Sequence, residues 1–445
     1  MDISAETRQK IVALLKEEMQ TWIATHPEAT VMDLETELRE GMQQVGATCL
    51  QTALEMQNAR YPQRQVDCAC GEQAQYMFQR TAKTLSVFGW VSYRRAYYLC
   101  PHCHQGQYPV DRRWDLRPGQ VSAALASLLA VEGIDISFEE ASRKIAKLLL
   151  VKVSENTVRR VTQRFGAAQE DAERAWQAES QDMDNLNARR RTIQDPPQRL
   201  YGALDGVTVP LKAEWCELKC GCWYEVELKG HRAPHDVGDT GSLHAQQISY
   251  YCDVADAASF RELVWTTGYR RCADRASEIV FVSDGAAWIW KTVEHHFPQA
   301  TQIVDWYHAA HYLSAIAKVA FEEGSPEGAA WLERARAQLW DGRVSQAIAI
   351  CEEQASKPGA AAAVHKAVTY YSNNMRRMDY ARFRAQGYQI GSGTVESACK
   401  QLGTQRLRRA GARWKESGAR LTAKARAAWL SGDWKLLEAR YAARA

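Results

Sequence analysis

Residues 278–285 read EIVFVSDG, and this stretch decides the fold class that the sequence predicts. A short apolar run that ends in Asp284 and Gly285 is typical of a fully buried strand followed by a turn. Upstream segments rich in β-branched and aromatic residues predict further strands, and these segments are residues 200–211, 222–229 and 246–254. The sequence therefore predicts a sheet whose fourth strand is buried on both faces.

The segments around this run alternate between strand and helix. The first three strands fit an antiparallel meander, and apolar periodicity predicts helices over residues 257–268 and 287–297. A short strand follows at residues 302–304, and the pattern from Trp306 to about Tyr380 is helical. The order βββ-α-β-α-β-α is that of an α/β RNase H-like core, here with an all-helical insertion.

Composition limits the class of protein. The chain has 445 residues, which corresponds to about three domains. Its 46% hydrophobic and 24% charged residues are typical of a soluble globular protein. No apolar run reaches the ~20 residues that cross a bilayer, and the start, Met1 to Lys10, is polar. We therefore expect a cytoplasmic protein with no membrane partner.

Two cysteine pairs mark the segment after the N-terminal helices. A stretch with alternating polarity, Leu85 to Leu99, lies between the pairs and predicts a β-hairpin. Cysteine pairs beside β-turns are the usual form of a zinc ribbon, in which Zn²⁺ binds four thiolates. The pairs are Cys68 with Cys70 and Cys100 with Cys103. The alternatives are four free thiols, or a site in which His102 or His104 replaces one cysteine.

A pair of helices is predicted after the cysteine-rich segment. Ser137 begins a capping-box pattern, and its helix runs to Leu150. A second helix begins near Ser154 and runs to Gly166, and a long exposed helix with a hinge is expected over residues 167–197. The second helix carries Arg159, Arg160 and Arg164. The pattern fits a DNA-binding helix-turn-helix or an ordinary helical hairpin.

Charge is distributed unevenly along the chain. The net charge is +3, but residues 1–60 have 5 Lys and Arg against 10 Asp and Glu. Residues 376–445 have 16 Lys and Arg against 5 Asp and Glu, a net charge of +11. A basic C-terminal end fits a nucleic-acid partner, and a solvated helix surface is the alternative.

Three carboxylates are candidates for chemistry. Asp205 and Asp284 each follow an apolar run and precede glycine, and Glu396 lies in the first turn of a helix that begins in a Gly-rich segment. Side chains in such positions can meet at one face and bind the pair of divalent cations, about 4 Å apart, that phosphodiester chemistry uses. The alternative is that each Asp-Gly pair marks a turn and Glu396 caps a helix.

Three longer segments carry a resemblance to a known family. They are FVSDGAAWIW at 281–290, QIVDWYHAAHYL at 302–313 and GYQIGSGTVESACKQLGTQRLRRAGARWKESGA at 387–419. Together they resemble the ISKra family of insertion-sequence transposases, which are DDE enzymes. The resemblance is strong over about residues 200–430 and looser before them.

The resemblance implies the roles of the acidic residues. Asp205, Asp284 and Glu396 would be the DDE triad and bind Mg²⁺ or Mn²⁺, and the third acid lies 112 positions after the second. So long a separation implies a helical insertion like that of Mutator-like relatives. Those relatives also carry a Cys- or Asp-x-x-His motif, which Asp305 and His308 match. His308 would position DNA or assist proton transfer, or Asp305 and His308 form a structural hydrogen bond.

The resemblance also implies the partners. The protein would be a bacterial transposase that binds terminal inverted repeats and target DNA as a homodimer or higher homo-oligomer. It would be nucleoid-associated when bound to DNA. The residues after Glu396 that we expect at DNA are Lys400, Arg406, Arg408, Arg409, Arg413, Trp414 and Lys415. Phosphate neutralisation and base stacking are their expected roles, and Trp414 is alternatively a core residue.

Two functions remain as alternatives. One is a DNA-binding regulator with an inactive RNase H-like body, and the other is a metal-dependent nuclease without strand transfer.

A further cysteine group, Cys216, Cys220 and Cys222, is interpreted as small buried hydrophobic residues. The predicted domains are an N-terminal helical domain at 1–60, a zinc-ribbon-like domain at 61–118, a helix-turn-helix-like domain and linker at 119–197, the first part of the core at 198–305, the helical insertion at 306–385 and the second part of the core at 386–445.

Overall fold

The computed structural model describes residues 5–61, 63–117, 119–192, 195–229 and 242–443. The chain divides into two compact units. The first unit is residues 1–132 with 137–161, and the second is residues 133–136 with 162–444. Residues 1–4 of the polar start and residue 118, a predicted domain boundary, lie outside the described residues.

The first unit begins with two long helices, α1 (Ala5–Thr25) and α2 (Val31–Asn58). The helix predicted to begin between Thr30 and Asp33 is confirmed. The Thr30 hydroxyl accepts the Asp33 N–H, and the Asp33 carboxylate accepts the Thr30 N–H in return. This capping box satisfies two backbone donors that an isolated helix start leaves unpaired.

An antiparallel sheet follows in the first unit. Its strands lie in the order β1 (Gln65–Asp67), β2 (Gln73–Ser86), β3 (Gly89–Leu99) and β4 (Gly106–Gln107). The predicted hairpin exists, but its range was too short, because residues 85–99 contain only the last two residues of β2, the turn and β3. A bulge between Tyr76 and Phe78 disturbs the alternation of β2, and Tyr76, Met77 and Phe78 are all exposed. The first strand therefore lacks the period-two pattern.

The helices after this sheet extend further than predicted. They are α3 (Pro109–Trp114), α4 (Ala123–Asp135), α5 (Phe138–Leu149), α6 (Glu155–Gln181) and α7 (Met183–Thr192). The Ser137 hydroxyl caps α5 by accepting the Glu140 N–H, as expected. The predicted helix end at Gly166 and the separate exposed helix after it were both wrong.

Gly166 explains why α6 continues. A Cβ atom there would lie 1.9 Å from the carbonyl oxygen of Leu421, so this glycine permits close packing rather than ending a helix. Ala168, Ala172 and Glu173 are buried on α6 beyond it. One face of the segment predicted to be exposed therefore packs in the second unit.

The second unit contains a mixed sheet. In chain order its elements are β5 (Arg199–Pro210), β6 (Trp215–Lys229), β7 (Ser242–Asp253), α8 (Ala257–Arg270), β8 (Glu278–Ser283), α9 (Ala287–His296) and β9 (Thr301–Val304). The strands lie in the order β7-β6-β5-β8-β9. The first three are antiparallel, and β8 pairs in parallel with both β5 and β9. The predicted meander and element order are confirmed.

The rest of the second unit is helical. The helices are α10 (Trp306–Ala320), α11 (Pro326–Trp340), α12 (Val344–Glu352), α13 (Ala361–Asn374), α14 (Tyr380–Ala385), α15 (Gly393–Cys399), α16 (Gln405–Leu407), α17 (Glu416–Leu430) and α18 (Trp434–Ala443). A π-helical segment, Lys400–Thr404, joins α15 to α16. Within the described ranges, no helix is both long and apolar enough to cross a membrane.

The two faces of the mixed sheet differ in what covers them. The indole N–H of Trp223 donates to Thr267 of α8, and its ring contacts Phe281 and Phe297. Asp205 lies opposite Cys220, which is three residues before Trp223 on β6. Because side chains alternate along a strand, Asp205 and Trp223 lie on opposite faces. The helices α15 and α17 contact the meander strands β5, β6 and β7.

Candidate active site and metal centre

Asp284 lies immediately after β8, at a tight turn. Gly285 has φ +95°, a conformation that favours glycine, and a Cβ atom there would lie 2.9 Å from the Tyr370 ring. The Asp284 side chain accepts the Ala286 N–H at 3.0 Å, and the Tyr370 hydroxyl donates to the Asp284 carbonyl oxygen at 2.6 Å. The predicted turn is confirmed, and Tyr370 holds it from α13.

Asp205 lies within a strand rather than at its end. The predicted turn at Asp205 and Gly206 was wrong, because β5 continues to Pro210 in register with β6. A side chain at residue 206 would collide with the Glu217 side chain, so glycine relieves crowding between strands here. The pairing of β5 with β8 ends at Gly202. Asp205 therefore lies beyond the paired part of the parallel strands, at the end where Asp284 follows β8.

Glu396 lies in the first turn of α15, as predicted, and is exposed. The Ser392 hydroxyl donates to Glu396 Oε1 at 3.1 Å. The Ser392 N–H donates to the buried Asp305 carboxylate at 2.5 Å. The loop before α15 therefore fixes both the start of the helix and the carboxylate on it.

The three acids share one electrostatic environment. Burial raises the pKa of Asp205 to about 6, and the negative charges of Asp284 and Glu396 add to this increase. The Gly206 N–H, which donates to Asp205 at 2.7 Å, opposes it. Helix α15 contacts β5, and Asp205 and Asp284 lie at the same end of the paired strands β5 and β8, so the fold brings the three acids to one end of the sheet.

The three carboxylates do not form a closed cluster. Among the described residues, two groups have ligand atoms that all lie within 4.8 Å of one another, and the three acids are not one of these groups. Ions in a two-metal site are about 4 Å apart, so ligands of different ions need not be in contact. The arrangement fits acids that bind separate cations better than three ligands of one cation.

A thiol lies beside the acids. Cys399, one turn after Glu396 on α15, is buried beside Asp205 and Cys220. Cys220 and Cys222 are buried, which confirms their interpretation as small core residues, whereas Cys216 is partly exposed. Sequence reasoning missed Cys399, although its position three residues after Glu396 places both on one side of a helix.

Asp305 has a structural role. It is fully buried at the start of α10, where its carboxylate accepts the His308 backbone N–H and the Ser392 N–H. It therefore joins α10 to the loop before α15. The half-buried His308 ring contacts the Tyr312 and Tyr370 rings, with centroids 5.8 and 5.9 Å away. A catalytic role for His308 stays a prediction.

Most of the basic residues predicted to contact DNA reach the surface. The exposed ones are Arg159, Arg160, Lys400, Arg408, Arg413 and Lys415, and the partly buried ones are Arg164 and Arg409. Their exposure leaves them accessible to a phosphate backbone, and their contact with DNA stays a prediction.

Arg406 and Trp414 are buried, so their predicted contact with DNA was wrong. Arg406 donates to the Gly133 carbonyl oxygen at 2.9 Å, and its guanidinium lies 4.9 Å from the Trp414 ring. The Trp414 indole N–H donates to the Leu407 carbonyl oxygen at 2.9 Å. Burial lowers the pKa of Arg406 to about 9. These contacts anchor the chain between α16 and α17, and the core alternative for Trp414 is correct.

The predicted cysteine cluster forms in the first unit. One Sγ from each of the four cysteines lies within 4.8 Å of the others. The Cys68–Cys103 and Cys70–Cys100 sulfur atoms are 3.5 and 3.7 Å apart. Tetrahedral zinc with Zn–S bonds of 2.3 Å requires sulfur separations of about 3.8 Å. The cluster can hold a metal ion and is compatible with structural zinc, and it needs neither His102 nor His104.

Two similar turns shape this cluster. The residue after each cysteine pair is left-handed, with φ +91° at Gly71 and +56° at His104. The Cys103 backbone N–H, and then that of His102, stabilise the Cys100 thiolate and lower its pKa to about 7. A thiolate near neutral pH is the form that binds metal.

One comparison with known families finds a match. The model of the uncharacterised protein family UPF0236 matches residues 267–442, which is less than half of the chain. The matched region contains Asp284, Asp305, His308 and Glu396, and it begins after Asp205. A search of curated proteins finds none that matches this chain. The chain is thus similar to this family over the C-terminal part of its second unit.

Proposed function

We propose that this protein is a DNA transposase of a bacterial insertion sequence, which cuts the ends of its element and joins them to target DNA. The observation that carries the proposal is the shared environment of Asp205, Asp284 and Glu396. They come from β5, from the turn after β8 and from α15, and the contact of α15 with β5 supports their convergence. Such a set of acids is what phosphodiester chemistry requires.

The sheet supports an RNase H-like core. A meander of three antiparallel strands is extended by two parallel strands, with a helix before each of the latter. Helices α10 to α14 lie between β9 and the helix that carries Glu396. This is the arrangement expected for a core interrupted by a helical insertion, and it accounts for the long separation between the second acid and the third.

The acidic residues offer the hard oxygen ligands that Mg²⁺ or Mn²⁺ prefers. Asp205, Asp284 and Glu396 would hold these ions. When bound, such ions activate the attacking oxygen and stabilise the leaving one.

The chain's own groups prepare this site. Burial and the nearby acids raise the pKa of Asp205 to about 6, so at neutral pH its carboxylate would be available to a cation. Ser392 orients Glu396, and Tyr370 holds the turn at Asp284. Cys399 lies beside Asp205.

DNA recognition would be divided along the chain. We propose that the zinc-binding sheet and the α5–α6 helix pair recognise terminal inverted repeats. The exposed cations Lys400, Arg408, Arg413 and Lys415 follow Glu396 and would neutralise phosphates near the acids. Synapsis of two ends requires at least a dimer, with α1 and α2 as the candidate contact. The protein would act in the cytoplasm, at the nucleoid.

The test is a strand-transfer assay with the full chain. The protein is incubated with Mg²⁺, labelled element ends and a supercoiled target plasmid, and the expected products are cut ends joined to the plasmid. Asp205→Asn and Glu396→Gln should abolish both cutting and joining, whereas the surface control Asp341→Asn should not. Cut ends without joined product would favour a nuclease. End binding without any cutting would favour a regulator.

A further inference from the structure

A second group of metal-ligand side chains lies away from the acids. Glu262 is on α8, and His295 and His296 end α9. One ligand atom from each of these residues lies within 4.8 Å of the other two. The α8 helix packs on the sheet face of Trp223, the face opposite Asp205. This group therefore does not belong to the acidic site.

His296 is held in place with an unused nitrogen. Its ring stacks on Trp265 with centroids 5.5 Å apart, and it lies against Phe297. Its Nε2 atom is fully enclosed and, within the described part of the chain, has no hydrogen-bond partner. The nearest carboxylate oxygen, Glu262 Oε1, is 3.4 Å away. These two atoms form an ion pair when His296 is protonated, and when it is neutral a shared cation would give the enclosed nitrogen a partner.

The two histidines are close enough to act together. Their ring centroids lie 4.6 Å apart and their planes are nearly perpendicular. Two imidazoles and a carboxylate are ligands that zinc accepts, at about 2.0–2.2 Å, with water in a remaining position. Atoms bound to one zinc ion lie roughly 3.4 Å apart in a tetrahedron, so the observed limit of 4.8 Å requires only a small side-chain movement.

We propose that Glu262, His295 and His296 form a second zinc site, independent of the four-cysteine cluster. The ion would join α8 to the end of α9, and so fix the segment that leads into β9 and Asp305. Its role would be structural, and it goes beyond the proposed transposition chemistry.

A neighbouring positive charge should lower the zinc affinity of this site. Arg261 Nε lies 3.8 Å from the same Glu262 oxygen and opposes a second positive charge there. The site should therefore bind zinc more weakly than four thiolates do. A chelator should remove its zinc first, and Arg261→Gln should increase its zinc affinity.

The test measures zinc bound to the full chain by equilibrium dialysis against micromolar free zinc. The wild type should bind about two ions per chain, and Glu262→Gln and His295→Gln should each bind about one. Both variants keep the His296 ring, and an unchanged urea midpoint in each would show that loss of zinc is not caused by unfolding. The control His365→Asn, at an exposed histidine on α13, should still bind about two ions.

Two results would overturn the proposal. One is a wild-type protein that binds a single zinc ion, lost when Cys100 is replaced by serine. The other is an unchanged zinc content in both Glu262→Gln and His295→Gln. Neither result depends on DNA cleavage, so failure of this site and failure of the proposed function are distinguishable.

Discussion

Replacing Asp205 with asparagine tests whether the acids are crowded together. The ordinary carboxyl pKa of 3.8 rises to about 6 in the folded protein because of burial and of two nearby negative charges. Both folded and unfolded states hold the proton below pH ~3.8. As the pH rises through about 6, the folded state must ionise a carboxyl that it disfavours. Folding stability is therefore lost as the pH rises from about 3.8 to about 6, and Asp205→Asn should prevent this loss.

The size of the effect follows from the pKa difference. About two pKa units at 1.36 kcal/mol each correspond to about 3 kcal/mol above pH ~7. Asp205→Asn should therefore be more stable than the wild type at neutral pH without divalent cations. The difference between the two free energies of unfolding should increase by about 2 kcal/mol between pH ~4.5 and ~7.5.

Urea unfolding of both proteins across this pH range measures the difference directly. Mg²⁺ at a tenfold excess over its Kd should stabilise the wild type by about 1.4 kcal/mol and leave Asp205→Asn unchanged. The surface variant Asp341→Asn should show neither effect. If Asp205→Asn is destabilised at neutral pH, or if Mg²⁺ stabilises both proteins equally, then Asp205 is not crowded by like charges in a cation site.

Three further predictions concern zinc, packing and DNA. Cys100→Ser should release zinc and weaken binding of element ends in a mobility-shift assay; unchanged binding after verified zinc loss would reject this role. Gly166→Ala should destabilise the protein by about 1–3 kcal/mol in urea unfolding, because its Cβ meets the Leu421 carbonyl oxygen; an unchanged midpoint would contradict that packing. Arg408→Ala should reduce the slope of log DNA affinity against log salt concentration by about one, the value of one lost phosphate contact. Arg406→Met should instead lower the free energy of unfolding and leave the salt slope nearly unchanged. A change in the salt slope without a loss of stability would contradict the structural role of Arg406.

Much of the mixed sheet could be predicted because each strand was marked locally. The run at Glu278–Ser283 and the helix after it were predicted almost to the residue, because burial on both faces leaves a continuous apolar signal. The strand β2 was not, since its bulge removes alternation. Gly166 was predicted to end a helix because glycine is common both at helix ends and where helices pack closely. Only the contact with Leu421 distinguishes the two cases.

The acidic residues of the candidate site could be predicted from the sequence, but the side chains around them could not. Asp284 precedes Gly285, whose left-handed conformation marks the turn, and Glu396 follows a Gly-rich segment, so both acids are visible in the sequence. Arg406 and Trp414 were assigned to DNA because a basic run carries no sign of which side chains point inward. Cys399 became relevant only when β6 placed Cys220 beside Asp205. Contacts between distant segments have no local pattern, so they required the structure.

Anomalous diffraction from crystals of the protein with Mn²⁺ and an element end tests the central claim most directly. We expect two manganese peaks about 4 Å apart, bound by the carboxylates of Asp205, Asp284 and Glu396. Manganese absent from these carboxylates in the DNA complex, or Glu396 directed away from the metal, would contradict the account.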